Sequence, residues 1–133
     1  MQGDGAMAAL GVAGVVLLLV HIAAQVTSVT RERGSAWNAG PRDDGSAPTG
    51  KFAGRADRAL RNFQETFPAF VLLVALLMLR DRADGIGLLG GLIWLAARVV
   101  YLPLYLAGVP RLRTLVWLVS LAGLMLMAVR VVF

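Results

Sequence analysis

The sequence contains no cysteine and one histidine, His21. The first absence excludes disulfides, thiolate nucleophiles and cysteine metal sites; the second leaves too few soft ligands for a zinc centre, so no metal is expected. Lysine is nearly missing as well: Lys51 stands alone, and the other twelve of the thirteen basic residues are arginines. These arginines lie between apolar runs and form no basic face interleaved with aromatics, which argues against a nucleic-acid partner despite the net charge of +5. A basic n-region is absent from "MQGDGAMAALGVAGVVLLLV", so the first apolar run reads as a retained span and not a cleaved leader.

Apolar residues, in contrast, are abundant. They make up 58% of the 133 residues, and the mean hydropathy is +0.71. A soluble domain has roughly 45–50%. The excess is gathered into four runs, at about 5–29, 57–79, 85–109 and 114–132. Each is close to the roughly 20 residues that carry a helix across about 30 Å of hydrocarbon. Open strands would leave backbone groups unpaired in lipid, so the predicted fold is all-α: an integral membrane four-helix bundle forming one domain. Residues 31–56, rich in Gly, Pro, Ser and Asp, read as one long irregular loop.

Basic residues set the expected orientation. Arg31, Arg33, Arg42, Lys51, Arg55, Arg58, Arg61, Arg111 and Arg113 fall on one side, against Arg80, Arg82 and Arg130 on the other. The long loop is therefore expected in the cytoplasm and both termini outside it. Small residues, among them Gly11, Gly14, Gly87, Gly90 and Gly91, allow helices to approach closely. Four spans are few to enclose a pathway alone, which makes an oligomer the expectation.

Charges inside the runs are the chemically informative feature. In "GRADRALRNFQETFPAF", Arg58, Arg61, Asn62 and Glu65 recur at i, i+3, i+4 and i+7 and share a helical face. Ala59, Leu60, Phe63 and Phe67 lie opposite. In the third run Arg98, Tyr101 and Tyr105 share a face near mid-membrane, where a guanidinium needs a partner. Glu65, read as the one acidic residue inside a span, is the expected partner of Arg98. A structural ion pair, interfacial tyrosines and arginines that merely set topology are the plainer readings of the same residues. His21 and Gln25, one turn apart, read as hydrogen-bonding residues between helices. Collectively the arginines, Asn62, Glu65 and the tyrosine hydroxyls suit a flexible guest carrying carboxylates and an ammonium group. A tripeptide with two carboxylates fits.

The stretch "RALRNFQETFP" resembles the second-helix signature of the MAPEG family (membrane-associated proteins in eicosanoid and glutathione metabolism), through Arg58, Ala59, Asn62, Glu65 and Pro68. "ARVVYLPLYLAGVPRLRTLVW" is similar to the family's third helix and following loop through Arg98, Tyr101, Tyr105 and Arg113, and "QVTSVTR" to the end of its first helix through Gln25, Ser28 and Arg31. The resemblance implies a homotrimer with glutathione, as cosubstrate, bound between subunits in a cleft open to the cytoplasm. Arg58, Asn62, Glu65, Tyr101 and Tyr105 would bind the tripeptide, helped by Arg31 and Arg98. Arg113 would lie by the sulfur and favour the thiolate, with Thr114 where one branch has a serine proposed to assist catalysis. The implied activity is that of a glutathione transferase or peroxidase acting on a lipophilic electrophile from the bilayer. A non-catalytic scaffold or accessory subunit of the same fold is the alternative. Two positions depart from the family's pattern: Thr66 replaces a tyrosine and Thr30 a basic residue. The segment "YLPLYLAGVPRLR" is similar to short bacterial members, which implies a bacterial inner membrane.

Overall fold

The computed structural model describes residues 2–133, so Met1 of the N-terminal stretch lies outside the described residues. Its elements are α1 (Gln2–Arg33), a short α2 (Ser35–Ala39), α3 (Lys51–Leu79), α4 (Gly85–Ala107) and α5 (Pro110–Val132), and no strand is present among the described residues. The four long helices are each long and apolar enough to cross a membrane. The chain is all-helical, as composition and run length require.

Helix boundaries differ from the expected spans at the loop end. α1 continues through Arg33, α3 begins at Lys51, and Pro110 opens α5. Proline suits a first turn, where its missing N–H has no partner to lose. The segment expected to be irregular throughout thus contains a short helix and the first turns of α3. α1 and α3, with 32 and 29 residues, are longer than the 23-residue α4 and α5. At about 1.5 Å per residue the difference is roughly 9–13 Å. The opposite ends lie level: Gly3 abuts Ala83, and Arg130 Nη2 donates to Asp84 Oδ1 at 2.7 Å. The excess length of α1 and α3 therefore projects at the loop end.

Short turns at 80–84 and 108–109 make successive long helices antiparallel. Gly108 ends α4 at φ +78°, with the Val109 N–H returning to the Leu104 carbonyl at 3.1 Å. This closure favours glycine because the left-handed region costs other residues a Cβ clash. The core joins Met7, Leu10 and Leu17 of α1 to Phe63, Phe70 and Val74 of α3, with Trp94 of α4 and Met127 of α5. At its centre Phe70 and Trp94 stack at 3.9 Å with 10° between planes, and Phe63 and Phe67 continue the cluster. α4 and α5 cross where Gly90 and Gly123 face each other: a Cβ on either would stand 2.6 Å from the other's carbonyl oxygen. Packing of this closeness holds helices together in lipid, where apolar burial supplies little drive.

Candidate functional site

The face carrying Arg58, Asn62 and Glu65 turns outward on α3, while Ala59 and Phe63 on its other side are fully buried. Helical periodicity alone produces this split. Across from it, α4 presents Arg98, fully buried, and Tyr101, buried beside it. Arg98 Nη1 donates to Asn62 Oδ1 at 2.9 Å, and Asn62 Nδ2 approaches Glu65 Oε2 at 3.4 Å, a long contact. The guanidinium carbon lies 5.2 Å from the Phe63 ring centre and 4.6 Å from that of Tyr101. Aromatic faces attract a cation. Nε and Nη2 of Arg98 make no hydrogen bond among the described residues.

The expected partnership of Arg98 with Glu65 is corrected by this arrangement. No ion pair joins them among the described residues; Asn62 stands between. The reason is direction and not depth. Glu65 points out of the bundle and Arg98 into it, and only Asn62, half-buried at the border, reaches both. The polar and aromatic neighbours of buried Arg98 are Asn62, Phe63 and Tyr101.

Tyr101 and Tyr105 meet edge to face with ring centres 5.5 Å apart, and the Arg113 guanidinium lies 4.4 Å from the Tyr105 ring centre. A continuous line thus runs from Asn62 through Arg98, Tyr101 and Tyr105 to Arg113, across α3, α4 and the start of α5. Thr114 directs its hydroxyl proton to the Pro110 carbonyl at 3.0 Å, the back-bond usual for threonine within a helix. Arg31 is exposed at the end of α1, apart from this line. It borders a shallow cavity with Ser28, Gly50 and Phe52. Neither Arg31 nor Arg58 has an acidic partner within ion-pair range among the described residues.

Sequence reasoning overlooked Asp57, which stands at the very edge of the second run. Its carboxylate pairs with Arg61 at 2.8 Å and faces Gln25 Nε2 of α1 at 3.5 Å. The i, i+4 spacing of Asp57 and Arg61 was the available signal. Gln25 thus bridges helices as expected, whereas His21 donates from Nδ1 within its own helix, to the Leu17 carbonyl at 2.9 Å, and its ring lies tilted against Phe63. Gln25, Asp57 and Arg61 line a cavity of about 250 Å³ together with Trp37, Arg42 and Ser46.

The loop is pinned by two neighbouring residues. Glu32 accepts from the Thr49 N–H and hydroxyl, both at 2.8 Å, and from the Gly50 N–H at 3.0 Å. Arg33 donates to Ser46 Oγ and the Ala47 carbonyl and lies over the Trp37 ring. Asp44 accepts from the Trp37 indole at 3.1 Å and from the Ser46 hydroxyl at 2.9 Å, and these bonds hold its carboxyl below the usual carboxylate range. Among the described residues no cluster of His, Asp and Glu is arranged to hold a metal ion.

No curated protein matches the sequence significantly. The profile of the MAPEG family matches residues 7–133, which takes in α1 from Met7, the other three long helices and every residue of the polar line. Such a match, over nearly the whole length of a chain folded as four membrane-crossing helices, shows that this integral membrane protein belongs to the MAPEG family.

Proposed function

We propose that the protein is a membrane-bound glutathione-dependent transferase or peroxidase whose acceptor is a lipophilic electrophile. The observation that carries this reading is the hydrogen-bonded line from buried Arg98 through Asn62 to outward-facing Glu65, flanked by unpaired Arg58. Charged groups on the outer face of a spanning helix are costly against lipid. A second copy laid over that face would cover them and leave a polar cleft between subunits, in keeping with a homotrimer. In that cleft Arg58 and Arg31 would take carboxylates, Glu65 the ammonium group, and the Tyr101 and Tyr105 hydroxyls the remaining polar atoms.

Arg113, held against Tyr105 where α5 begins, would lie beside the sulfur with Thr114 next to it. A guanidinium there stabilises thiolate over thiol, and the thiolate is the nucleophile. For conjugation, sulfur forms a bond to the electrophilic carbon, and the displaced electron pair leaves with the leaving group or takes up a proton after ring opening. For a peroxide, the thiolate sulfur attacks one oxygen, and the O–O bond breaks with its electron pair on the other oxygen, which takes up a proton and leaves as the alcohol. A second thiol converts the resulting sulfenic acid to a disulfide and water. The loop end, with its excess of arginine, would face the cytoplasm of a bacterial cell.

The test is a calorimetric titration of glutathione in detergent beside a conjugation assay with a model electrophile. Arg113→Ala is expected to lower kcat by about 10- to 100-fold, as loss of an electrostatic stabiliser does, and to change Kd far less. Equal loss in both, or turnover indifferent to the substitution, would remove Arg113 from that role. A chain that binds no glutathione and shows no thiol-dependent turnover would leave a structural membrane protein.

A further inference from the structure

The side-chain amide of Asn62 has two ends with opposite chemistry, and its neighbours decide which end faces a guest. A guanidinium has only donors. The Asn62 atom 2.9 Å from Arg98 Nη1 must therefore be the carbonyl oxygen, whatever the guest. The amide nitrogen is left on the other side, directed to Glu65 Oε2 at 3.4 Å, and that contact agrees, since a carboxylate can only accept. Two independent partners fix one orientation. Arg98 itself is held in place: it is fully buried and lies against the rings of Phe63 and Tyr101.

We infer that Arg98 is a positioning residue that locks Asn62 as a hydrogen-bond donor, so that the ligand group recognised at Asn62 is an oxygen acceptor, a carboxylate or an amide carbonyl. It gives a defined part to Arg98, expected only to help bind the tripeptide, and it rests on the proposed function only for the identity of the guest. One N–H of the Asn62 amide is turned to Glu65; the second is the one offered. Outward, the site then presents donors at Arg58 and Asn62 and an acceptor at Glu65 alone. A guest with one cationic group and several acceptor oxygens matches that set, whereas a guest offering an N–H to Asn62 meets a second donor and is rejected, because an unpaired buried donor is costly.

The experiment has two arms. The chain contains two asparagines, Asn38 and Asn62, so selective ¹⁵N labelling gives two side-chain amide pairs, assigned with Asn62→Asp. In the wild-type chain without ligand the Asn62 N–H turned to Glu65 should exchange with water more slowly than the second N–H, which is open to a guest. Arg98→Met should abolish that protection, and Arg98→Lys, which keeps a cationic donor, should restore it at least in part. Protection unchanged in Arg98→Met would overturn the lock. In the second arm, glutathione is titrated calorimetrically. Asn62→Asp keeps an acceptor for Arg98 while removing the donor. It is measured in a Glu65→Gln background, because the new carboxylate would otherwise face Glu65, whose Oε2 lies 3.4 Å from the amide nitrogen it replaces. Against Glu65→Gln alone it should weaken binding by tenfold or more without lowering the thermal midpoint, and Arg98→Met should weaken it less severely, with Arg98→Lys nearer wild type. Binding by the double variant as tight as by Glu65→Gln alone would overturn the donor assignment. Absence of glutathione binding by the wild-type chain would instead overturn the functional reading, and amide exchange would still decide whether Arg98 orients Asn62.

Discussion

Arg55 of α3 donates from Nη1 to the carbonyl oxygen of Leu106, in the last turn of α4, at 2.9 Å. The last carbonyls of a helix lack partners within it and carry its negative end, so a guanidinium there is doubly favourable. The same side chain packs against Gly108, where an added Cβ would stand 2.5 Å from Nη2. One residue thus ties α3 to the end of α4, about two turns before Asn62.

Arg55→Ala should lower stability by about 1.5–2 kcal/mol, the low side of the range for a hydrogen bond to a charged group. Gly108→Ala should cost a similar amount, about 1–2 kcal/mol for a left-handed residue with a Cβ. Because both act on one joint, the double variant should lose less than the two single losses combined. Thermal midpoints in detergent measure all three, and strict additivity would show that Arg55 and Gly108 act independently.

The crossing of α4 and α5 supplies a sharper case. At Gly90 a Cβ would meet the Gly123 oxygen at 2.6 Å and the Met127 nitrogen at 2.9 Å; at Gly123 it would meet the Gly90 oxygen at 2.6 Å and the Trp94 nitrogen at 2.8 Å. These are backbone atoms and cannot swing aside. Gly90→Ala and Gly123→Ala should each destabilise by about 1–3 kcal/mol, the cost of overpacking. Gly5→Ala, where nothing lies within 4 Å, should be neutral or stabilising by up to about 1 kcal/mol through helix propensity. Equal midpoints for the three would discount the glycine contact.

These examples separate what was legible in the sequence from what was not. The four long helices followed from run length, because lipid leaves no other solution for so many apolar residues. The second-helix face followed from periodicity, and Arg58, Asn62 and Glu65 do share it. Periodicity within one helix, however, does not say how that helix is rotated against its neighbours. Spacing alone therefore offers Glu65 to Arg98, whereas rotation of α3 turns it outward and sets Asn62 between them. Asp57 escaped notice because span edges are soft: α3 starts six residues earlier than the apolar run, so a residue taken as a border is two turns inside a helix. Gly123 gave no sign at all, since a close approach needs two partners and only the fold brings Gly90 to it.

Asp44 gives the loop a pH dependence with a definite sign. The Ser46 hydroxyl, the Trp37 indole and the Ser46 N–H all favour its ionised form and lower its pKa in the folded loop. A depressed folded value contributes stability that is full above the unfolded pKa of about 4. It is lost as pH falls through the lower, folded value. Quenching of Trp37 fluorescence should therefore be flat from pH 7 to about 5 and rise at lower pH, and Asp44→Asn should remove that acid-side change while loosening the loop at pH 7. A profile for Asp44→Asn superimposable on wild type would mean that another group controls the loop.

Arg113 depends on Tyr105 for its position, since its guanidinium lies 4.4 Å from that ring centre. A cation over an aromatic face is stabilised by about 0.5–2 kcal/mol, which converts to roughly 2- to 30-fold in a rate that needs the cation in place. Tyr105→Phe keeps the face and removes the hydroxyl; Tyr105→Leu removes both. If Tyr105 serves chiefly to hold Arg113 beside the sulfur, Tyr105→Phe should raise KM for glutathione with kcat nearly intact, whereas Tyr105→Leu should also lower kcat within that range. The pH–rate profile supplies a second readout: with Arg113 released, the thiolate loses a stabilising charge, so the alkaline rise in kcat/KM should move to higher pH in Tyr105→Leu and stay in place in Tyr105→Phe. Identical profiles in the two variants would mean that the ring does not position the guanidinium for chemistry.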